Sequence, residues 1–364
     1  MPFEMITSRE RLAEVAARWR GEPALALDTE FVFERTFHPR LGLVQIATAA
    51  GTWLVDPVAL GDLAPLADAL AAAALRTLHA GQGDLQALAR RGVRLTPPLF
   101  DTQIAAALAG LGGGLSYQRL VAALLGVELG KHATRSDWLA RPLSERQLTY
   151  AAEDVAHLVP VGQELRARLE SLGRLAWALE DSARLLAEAA APPDPEDAVR
   201  RLGSLGHLSP RARAAARALA AWREREADLR DLPRRWVLSD EALLRIARLD
   251  PDQPEPFATL EGVPRQQVAS DGPAWVEILR KAPDELSPSG TTRLEPRERK
   301  SVDRLAALVR QRAAELAIPA ELLAPRRLLT DLVRRRVQGD DQIPEGLRGW
   351  REREIGRDLA AALA

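Results

Sequence analysis

Apolar and polar positions alternate in two different ways along the chain. In the first hundred residues, short apolar runs alternate with amphipathic stretches, which predicts strands at residues 24–30, 41–47, 52–55 and 77–79 and helices at residues 63–75 and 84–91. From residue 101 onward the pattern is helical. Because a sheet buries its apolar face against another layer, this order of segments predicts an α/β domain with helices packed on a sheet.

Two proline-rich segments divide the rest of the chain. Residues 189–196 read AAAPPDPE, and three prolines in four positions stop a helix. Residues 282–298, rich in Pro, Ser, Gly and Thr, predict a second linker. Elsewhere the pattern predicts helices at residues 210–226, 240–249, 264–269, 273–281, 301–316, 321–335 and 350–363. The predicted organisation is an α/β domain over 1–190, a linker over 191–200, a helical domain over 201–283, a linker over 284–300 and a second helical domain over 301–364.

Composition narrows the class of protein. A chain of 364 residues with 46% hydrophobic residues can bury two or three cores. We expect no membrane association, because no apolar run reaches about eighteen residues, and no signal peptide, so we expect a cytoplasmic protein. The absence of cysteine excludes disulfides, thiolate zinc sites and thiol nucleophiles. A net charge of −1 argues against a protein that coats nucleic acid by bulk charge, although a local basic face stays open.

The first candidate for chemistry is a pair of acids at the end of an apolar strand. In the run LALDTEF, Asp28 and Glu30 stand two positions apart, so their side chains project from the same face of a strand. Adjacent carboxylates repel one another unless cations neutralise them, and hard divalent cations prefer such oxygen ligands. A strand end running into solvent is the simpler alternative for this tripeptide alone.

The second candidate lies in a predicted helix. Ser144 followed by Gln147 is a capping-box pattern, which predicts a helix starting near Glu145. Tyr150 and Asp154 then share a helix face, and a phenol beside a carboxylate can orient a water molecule. Packing for the tyrosine and solvation for the aspartate are the alternatives.

The third candidate follows the predicted strand that ends at His79. Two glycines form a turn, and Asp84 then lies at the start of a helix, where an ordinary N-cap is the simplest interpretation. In combination, however, four carboxylates at three element ends of one domain can form a site for two cations. Two metal ions about 3.5–4 Å apart stabilise both the attacking and the leaving oxygen of a phosphodiester.

These motifs, in this order and at these separations, resemble the tyrosine-bearing branch of the DEDD exonuclease superfamily. The stretches SDWLARPL at residues 136–143 and QLTYAAEDV at residues 147–155 are similar to the ribonuclease D family. The segments AWREREA, DLPR and VLSD within residues 221–240 resemble an HRDC domain, a small helical nucleic-acid-binding module. The third block, with ELLA at residues 321–324 and GWR at residues 349–351, resembles the divergent second HRDC domain of that family.

The resemblance implies a ribonuclease-H-like fold with a mixed central sheet, followed by two all-α HRDC-type domains. It also implies a 3′–5′ exoribonuclease that removes single nucleotides from RNA 3′ ends, including tRNA precursors, with two Mg²⁺ or Mn²⁺ ions and no nucleotide cofactor. Carried over by position, Asp28, Glu30 and Asp154 hold the first metal, and Asp28 bridges to the second with Asp84. Tyr150 orients the attacking water, while Phe31 and His79 contact the substrate. In this chain Gln82 and Gly83 precede Asp84, where larger residues are common in the family.

Two other interpretations stay open from the sequence. One is a DNA-directed exonuclease of the same chemistry, since discrimination depends on contacts to the 2′-hydroxyl that no single residue reveals. The other is a nucleic-acid-binding protein with HRDC modules and an inactive nuclease domain, against which the complete set of acids argues. In the helical block we expect Trp222 and Trp236 to pack the core rather than stack on bases, while Arg223 and Arg234 are equally consistent with phosphate contacts and with a solvated face.

Overall fold

A computed structural model describes residues 2–130, 136–191, 198–199, 201–203, 205, 207–250, 252, 257, 260–283 and 294–363. The chain divides into two compact units. The first comprises Met1–Val32, Pro39–Ala190 and Leu294–Ala364, and the second comprises Phe33–His38 and Ala191–Arg293. The C-terminal helical segment therefore belongs to the same compact unit as the α/β part. The sequence analysis treats residues 301–364 as a separate domain, and those domain boundaries stay a prediction.

A six-stranded mixed sheet forms the centre of the first unit, in the order β1-β4-β3-β2-β5-β6. β2 pairs antiparallel with β3, and β3 pairs antiparallel with β4, whereas β1 with β4, β2 with β5, and β5 with β6 pair in parallel. This confirms the predicted mixed sheet. The strands are β1 (Glu4–Ile6), β2 (Leu25–Val32), β3 (Arg40–Thr48), β4 (Gly51–Val55), β5 (Arg76–Leu78) and β6 (Leu99–Asp101).

Helices cover both faces of this sheet. One core cluster joins α1, α3 and α4 to one face, and another joins α5 to α8 to the other. The helices of the α/β part are α1 (Arg9–Trp19), α2 (Pro57–Leu60), α3 (Ala64–Ala72), α4 (Gln82–Arg90), α5 (Thr102–Leu108), α6 (Tyr117–Leu125), α7 (Glu145–Ala156), α8 (Leu158–Ser171) and α9 (Leu175–Ala190).

The C-terminal helices share a hydrophobic core with the α/β part. Val302, Leu305 and Trp350 belong to the same cluster as Phe100 and Val161. The elements are α14 (Pro296–Leu316), α15 (Ala320–Leu323), α16 (Arg326–Val337), a 3₁₀ turn (Glu345–Leu347), a π-helical turn (Glu352–Gly356) and α17 (Arg357–Ala361).

A buried ion pair reinforces this shared core. The guanidinium of Arg351 donates to both carboxylate oxygens of Asp181 on α9, at 2.5 and 2.8 Å, and these side chains are 8% and 6% exposed. The indole Nε1 of Trp350 donates to the same carboxylate at 3.1 Å. The ring of Trp350 stacks on Trp177 with centroids 4.5 Å apart. Residues 294–363 are thus fixed to α9 by charge and by aromatic packing.

The regular elements among the described residues of the second unit are helices. They are α10 (Pro210–Arg230), α11 (Arg234–Val237), α12 (Asp240–Ile246) and α13 (Arg265–Lys281). Trp222 and Trp275 meet edge to face with centroids 5.9 Å apart in its core, which confirms the packing role predicted for Trp222. The same prediction is wrong for Trp236, which is 50% exposed. Arg223 is 2% exposed and bonds to Asp240, so this arginine serves the fold rather than a phosphate.

Most long elements of the sequence analysis are confirmed, and the differences have local causes. Strands β1 and β6, of three residues each, were not predicted, whereas the equally short β5 was predicted over residues 77–79. The helix predicted over residues 321–335 is two helices, because Pro325 interrupts the run. The helices predicted over 264–269 and 273–281 are one, with Pro273 inside it. No helix among the described residues is long and apolar enough to cross a membrane.

Candidate metal centre

Strand β2 presents two acids on one face of the sheet. Alternation along β2 sends Leu25 and Leu27 into the core beneath α1 and α3, which leaves Asp28 and Glu30 on the opposite face. Asp28 lies directly across from Gln45 of β3. β2 lies between β3 and β5 in the sheet. At Asp28 and Glu30 it is paired with β3, whereas its pairing with β5 involves Leu25 and Ala26.

Helix α7 brings the second pair of candidates to the same face. The predicted capping box is confirmed: Ser144 accepts from the backbone N–H of Gln147 at 3.3 Å, and the Gln147 side chain accepts from the Ser144 N–H at 3.0 Å. α7 packs on β2, β3 and β4, and one turn separates Tyr150 from Asp154. The hydroxyl of Tyr150 donates a hydrogen bond to the Asp154 carboxylate.

The structure brings three of the predicted acids together. Asp28, Glu30 and Asp154 each offer one carboxylate oxygen, and these oxygens lie within 4.8 Å of one another. All three side chains are partly exposed, so an ion has access to them. Within the described part of the chain, neither Asp28 nor Glu30 forms an ion pair with an arginine or lysine. Three hard oxygen donors around one point fit a divalent cation.

Asp84 stands beside this group of three and has a separate support. It is 6% exposed, and its Oδ1 accepts from the backbone N–H of Thr29 at 3.0 Å and from the Thr29 hydroxyl at 2.5 Å. The N-cap interpretation that the local sequence favours is wrong, because Gly81 occupies the N-cap position of α4. Thr29 lies between Asp28 and Glu30 on β2. The same strand therefore carries Asp28 and Glu30 and, through Thr29, positions Asp84.

Burial and mutual repulsion make this site unfavourable for negative charge. Desolvation, followed by the charges of Asp84, Asp154 and Glu30, raises the pKa of Asp28 well above its ordinary value. Desolvation, with the charges of Asp154 and Asp84, raises the pKa of Glu30 to about 8. Desolvation also raises the pKa of Asp84 to about 6, against the lowering effect of the Thr29 hydrogen bonds. A bound cation would remove this penalty by neutralising the carboxylates.

These pKa shifts predict that the metal-free protein loses stability as the pH rises. A carboxyl whose folded-state pKa is raised stabilises the fold fully below its unfolded pKa, and this contribution is lost as the pH rises through its folded pKa. For Glu30 the window runs from about 4.5 to about 8. We therefore expect chelator-treated protein to have a lower Tm at pH 8.5 than at pH 6, and added Mg²⁺ to restore it at pH 8.5. Equal Tm values at the two pH values would contradict the shifts.

The tyrosine at this site stays protonated. Burial and the neighbouring charges of Asp154 and Glu30 raise the pKa of Tyr150 above its ordinary value. A neutral phenol at neutral pH donates and accepts hydrogen bonds but does not act as a strong base. This supports an orienting role for Tyr150.

The two residues predicted to contact substrate lie in different environments. A side chain at residue 83 would have its Cβ 2.7 Å from Cζ of Phe31, so Gly83 leaves the space that the Phe31 ring occupies. His79 is enclosed: Nδ1 lies 2.9 Å from the Thr102 hydroxyl and Nε2 lies 3.0 Å from the carbonyl oxygen of Leu115. Both substrate contacts stay predictions, and in this structure the nitrogens of His79 are engaged within the protein.

Arg141 fixes the segment that precedes α7, and this segment packs beside Tyr150. The guanidinium of Arg141 forms a bidentate ion pair with Asp56 at 2.6 and 2.7 Å and donates to the carbonyl oxygen of Gly42 at 2.7 Å. Trp138, held by the same arginine through its carbonyl oxygen, lies 6.1 Å from the Tyr150 ring. A cavity of about 320 Å³ opens beside them and is lined in part by Tyr150, Trp138 and Arg146.

Sequence reasoning missed several supports of this site. Thr29 was passed over because it lies between two acids and points to the other face of β2. The ion pair between Arg141 and Asp56 joins residues 85 positions apart, which no local pattern reveals. Gln45 was detectable, because it is a single polar residue within the apolar run LGLVQIA.

Comparisons with known proteins agree with this geometry. The model of the 3′-5′ exonuclease family matches residues 3–170, and the HRDC domain model matches residues 212–279. Ribonuclease D of Pseudomonas paraeruginosa is 38% identical, over 99% of this chain and 97% of that protein. Ribonuclease D of Escherichia coli (strain K12) is 34% identical, over 100% of this chain and 98% of that protein.

A solved structure extends the likeness to the whole fold. The crystal structure of Escherichia coli RNase D, an exoribonuclease involved in structured RNA processing, is similar with a TM-score of 0.86 at 33% identity. The likeness covers 100% of this chain and 99% of that chain. The predicted architecture, an exonuclease-type α/β part with HRDC-type helical segments, is confirmed.

Proposed function

This chain belongs to the ribonuclease D family of 3′–5′ exoribonucleases, and we propose that it releases 5′-mononucleotides one at a time from RNA 3′ ends, with tRNA precursors among its substrates. The observation that carries the proposal is the convergence of Asp28, Glu30 and Asp154 from β2 and α7. The location in the cytoplasm and the independence from a nucleotide cofactor stay predictions of the sequence.

Divalent cations complete the site that we propose. Asp28, Glu30 and Asp154 would hold one ion, and Asp28 together with Asp84 would hold a second, Mg²⁺ or Mn²⁺ in each case. Such ions lower the pKa of water to about 7 and stabilise the negative charge that develops on phosphodiester oxygens. The raised carboxyl pKa values support this assignment, because a site that repels negative charge is matched to cations.

The residues of the chain supply orientation. Tyr150, bonded to Asp154, presents a phenol oxygen at the acidic cluster and can hold a water molecule in line with the last phosphodiester bond. Phe31, seated over Gly83, offers an aromatic ring at the end of β2 for the terminal nucleotide. The buried carboxylate of Asp84, fixed by Thr29, keeps its orientation without rearrangement.

Replacing Tyr150 by Phe tests the orienting role. Loss of the hydroxyl removes the hydrogen bond to Asp154 and the contact to water, so we expect kcat to fall about 10²-fold. Metal binding should survive, because Tyr150 is not among the clustered oxygen donors. The measurement is the rate of mononucleotide release, together with the Tm increase on Mn²⁺ addition. Wild-type turnover in Tyr150→Phe would contradict the role.

Matched RNA and DNA strands test the proposed function against its rivals. We expect Mg²⁺- or Mn²⁺-dependent release of 5′-mononucleotides from an RNA with a free 3′-hydroxyl, and slower release from DNA of the same sequence. Faster degradation of the DNA strand would favour the DNA-directed alternative. Binding of RNA without release in either metal would favour the inactive, binding-only alternative.

A further inference from the structure

Gln45 is a fully buried polar residue whose amide forms no hydrogen bond with any residue that the structure describes. Its exposure is 0%, and both Nε2 and Oε1 have no hydrogen-bond partner among the described residues. Leu43, Val44 and Ile46, its neighbours along β3, are equally buried and apolar. An isosteric apolar side chain would fill the same volume.

Such a residue is costly for folding. A buried amide loses its hydrogen bonds to water. When neither its donor nor its acceptor finds a partner in the protein, the desolvation penalty of both groups destabilises the fold. More than nine in ten buried polar groups in native proteins have a partner, so an exception calls for a functional or solvent partner beyond those that the described residues supply.

The register of the sheet indicates where that partner lies. Gln45 is the direct cross-strand neighbour of Asp28, and residues paired in this way project from the same face with Cβ atoms about 4.5–5.5 Å apart. On its other side Gln45 pairs with Leu54, which packs with Ala151 and Ala152 of α7. Gln45 therefore lies between Asp28 and an apolar wall, and of these neighbours only the Asp28 side is polar.

Resting on the proposed function, we propose that Gln45 is a positioning residue for the metal centre. Its amide N–H donates to the Asp28 carboxylate, directly or through one ordered water, when Asp28 holds a divalent cation. The amide thereby fixes the orientation of the carboxylate that the two ions would share. A partner of this kind for a metal ligand is worth about 10- to 100-fold in metal affinity or activity.

Gln45→Met separates this role from a role in folding. Methionine has a similar length and no hydrogen-bonding amide, so it removes the unpaired groups without leaving a large cavity. We expect the metal-free variant to have a Tm at or above that of wild type by thermal unfolding in chelator. A Tm below wild type would show that the amide stabilises the fold, and would overturn the inference.

The loaded protein gives the second readout. We expect the Mn²⁺ concentration that produces half of the thermal stabilisation to rise about 10- to 100-fold in Gln45→Met, and kcat to fall in the same range. KM for RNA should stay the same, because Gln45 is buried and touches no substrate. A wild-type Mn²⁺ titration and wild-type kcat in Gln45→Met would overturn the inference.

A matched control removes another buried, unpaired donor from the same unit. The Nε1 of Trp19 on α1 also has no partner among the described residues, and it lies in the core on the other face of the sheet. Trp19→Phe should keep the wild-type Mn²⁺ titration and kcat; equal losses in both variants would point to a general core effect and overturn the inference. If wild type releases no nucleotides, the proposed function fails, while the Mn²⁺ titration still decides the role of Gln45.

Discussion

Replacing Asp28 by Asn is expected to abolish nucleotide release and at the same time to stabilise the metal-free protein. Asp28 is the carboxylate that every other acid of the site repels, and it is the residue that both ions would share. Loss of one charged ligand at a two-ion centre removes several kcal/mol of transition-state stabilisation, so we expect a decrease in kcat of about 10³-fold or more.

The stability change has the opposite sign because of the same electrostatics. An amide removes one of the clustered negative charges, so the Tm in chelator at pH 8.5 should rise, whereas the gain in Tm on Mn²⁺ addition should disappear. Asp68→Asn, an exposed substitution on α3, is the matched control and should change neither quantity. Turnover within tenfold of wild type in Asp28→Asn would remove the basis of the proposed metal centre.

Replacing Arg351 by Ala is expected to destabilise the first unit by about 3–5 kcal/mol. The substitution leaves the Asp181 carboxylate buried at 6% exposure without its bidentate partner. It also removes a hydrogen bond to the carbonyl oxygen of Leu322 at 3.0 Å and the guanidinium that lies 4.4 Å from the Trp350 ring. Denaturant unfolding monitored by tryptophan fluorescence measures the change, since Trp177 and Trp350 stack at this contact.

Arg326→Ala provides the control for this prediction. Arg326 pairs with Asp303 at 2.6 Å in the same C-terminal segment, but both side chains are about 60% exposed, and exposed pairs contribute about 0–1 kcal/mol. In the double variant Arg351→Met with Asp181→Asn, much of the lost stability should return, because no buried charge is left unpaired. A loss in Arg351→Ala no larger than in Arg326→Ala would show that the ion pair does not hold the segment in place.

The candidate residues were predictable from local sequence, whereas their arrangement was not. Asp28 and Glu30 follow from strand periodicity, and the start of α7 follows from the Ser144–Gln147 pattern, since both depend on neighbours in the chain. The convergence of β2 with α7 depends on packing between two segments more than a hundred residues apart. Packing of this kind also decides which neighbours an acid meets: Asp84 does not cap α4, where Gly81 is the N-cap, but accepts hydrogen bonds from Thr29 of β2.

The division of the chain into two compact units could not be predicted from local sequence patterns either. Proline and composition predicted where the chain leaves regular structure near residue 190, but not that residues 294–363 return to pack on α9. That return depends on single long-range pairs such as Arg351 with Asp181, which look like ordinary surface residues in the sequence. Trp236 shows the converse, because an aromatic residue in a helical block gives no sign of its exposure.

The placement of the C-terminal helices has a consequence for biosynthesis. Ribosomes make residues 294–363 only after Ala191–Arg293, the segment that separates them from α9. Until residues 294–363 emerge, they do not cover the face of α9 that carries Trp177 and Asp181. A nascent or prematurely terminated polypeptide therefore exposes Trp177 together with a carboxylate that is buried in the folded protein. Nonsense mutations that remove residues 294–363 should therefore yield products that chaperones and proteases bind, even though every acidic residue of the proposed metal centre has already been translated.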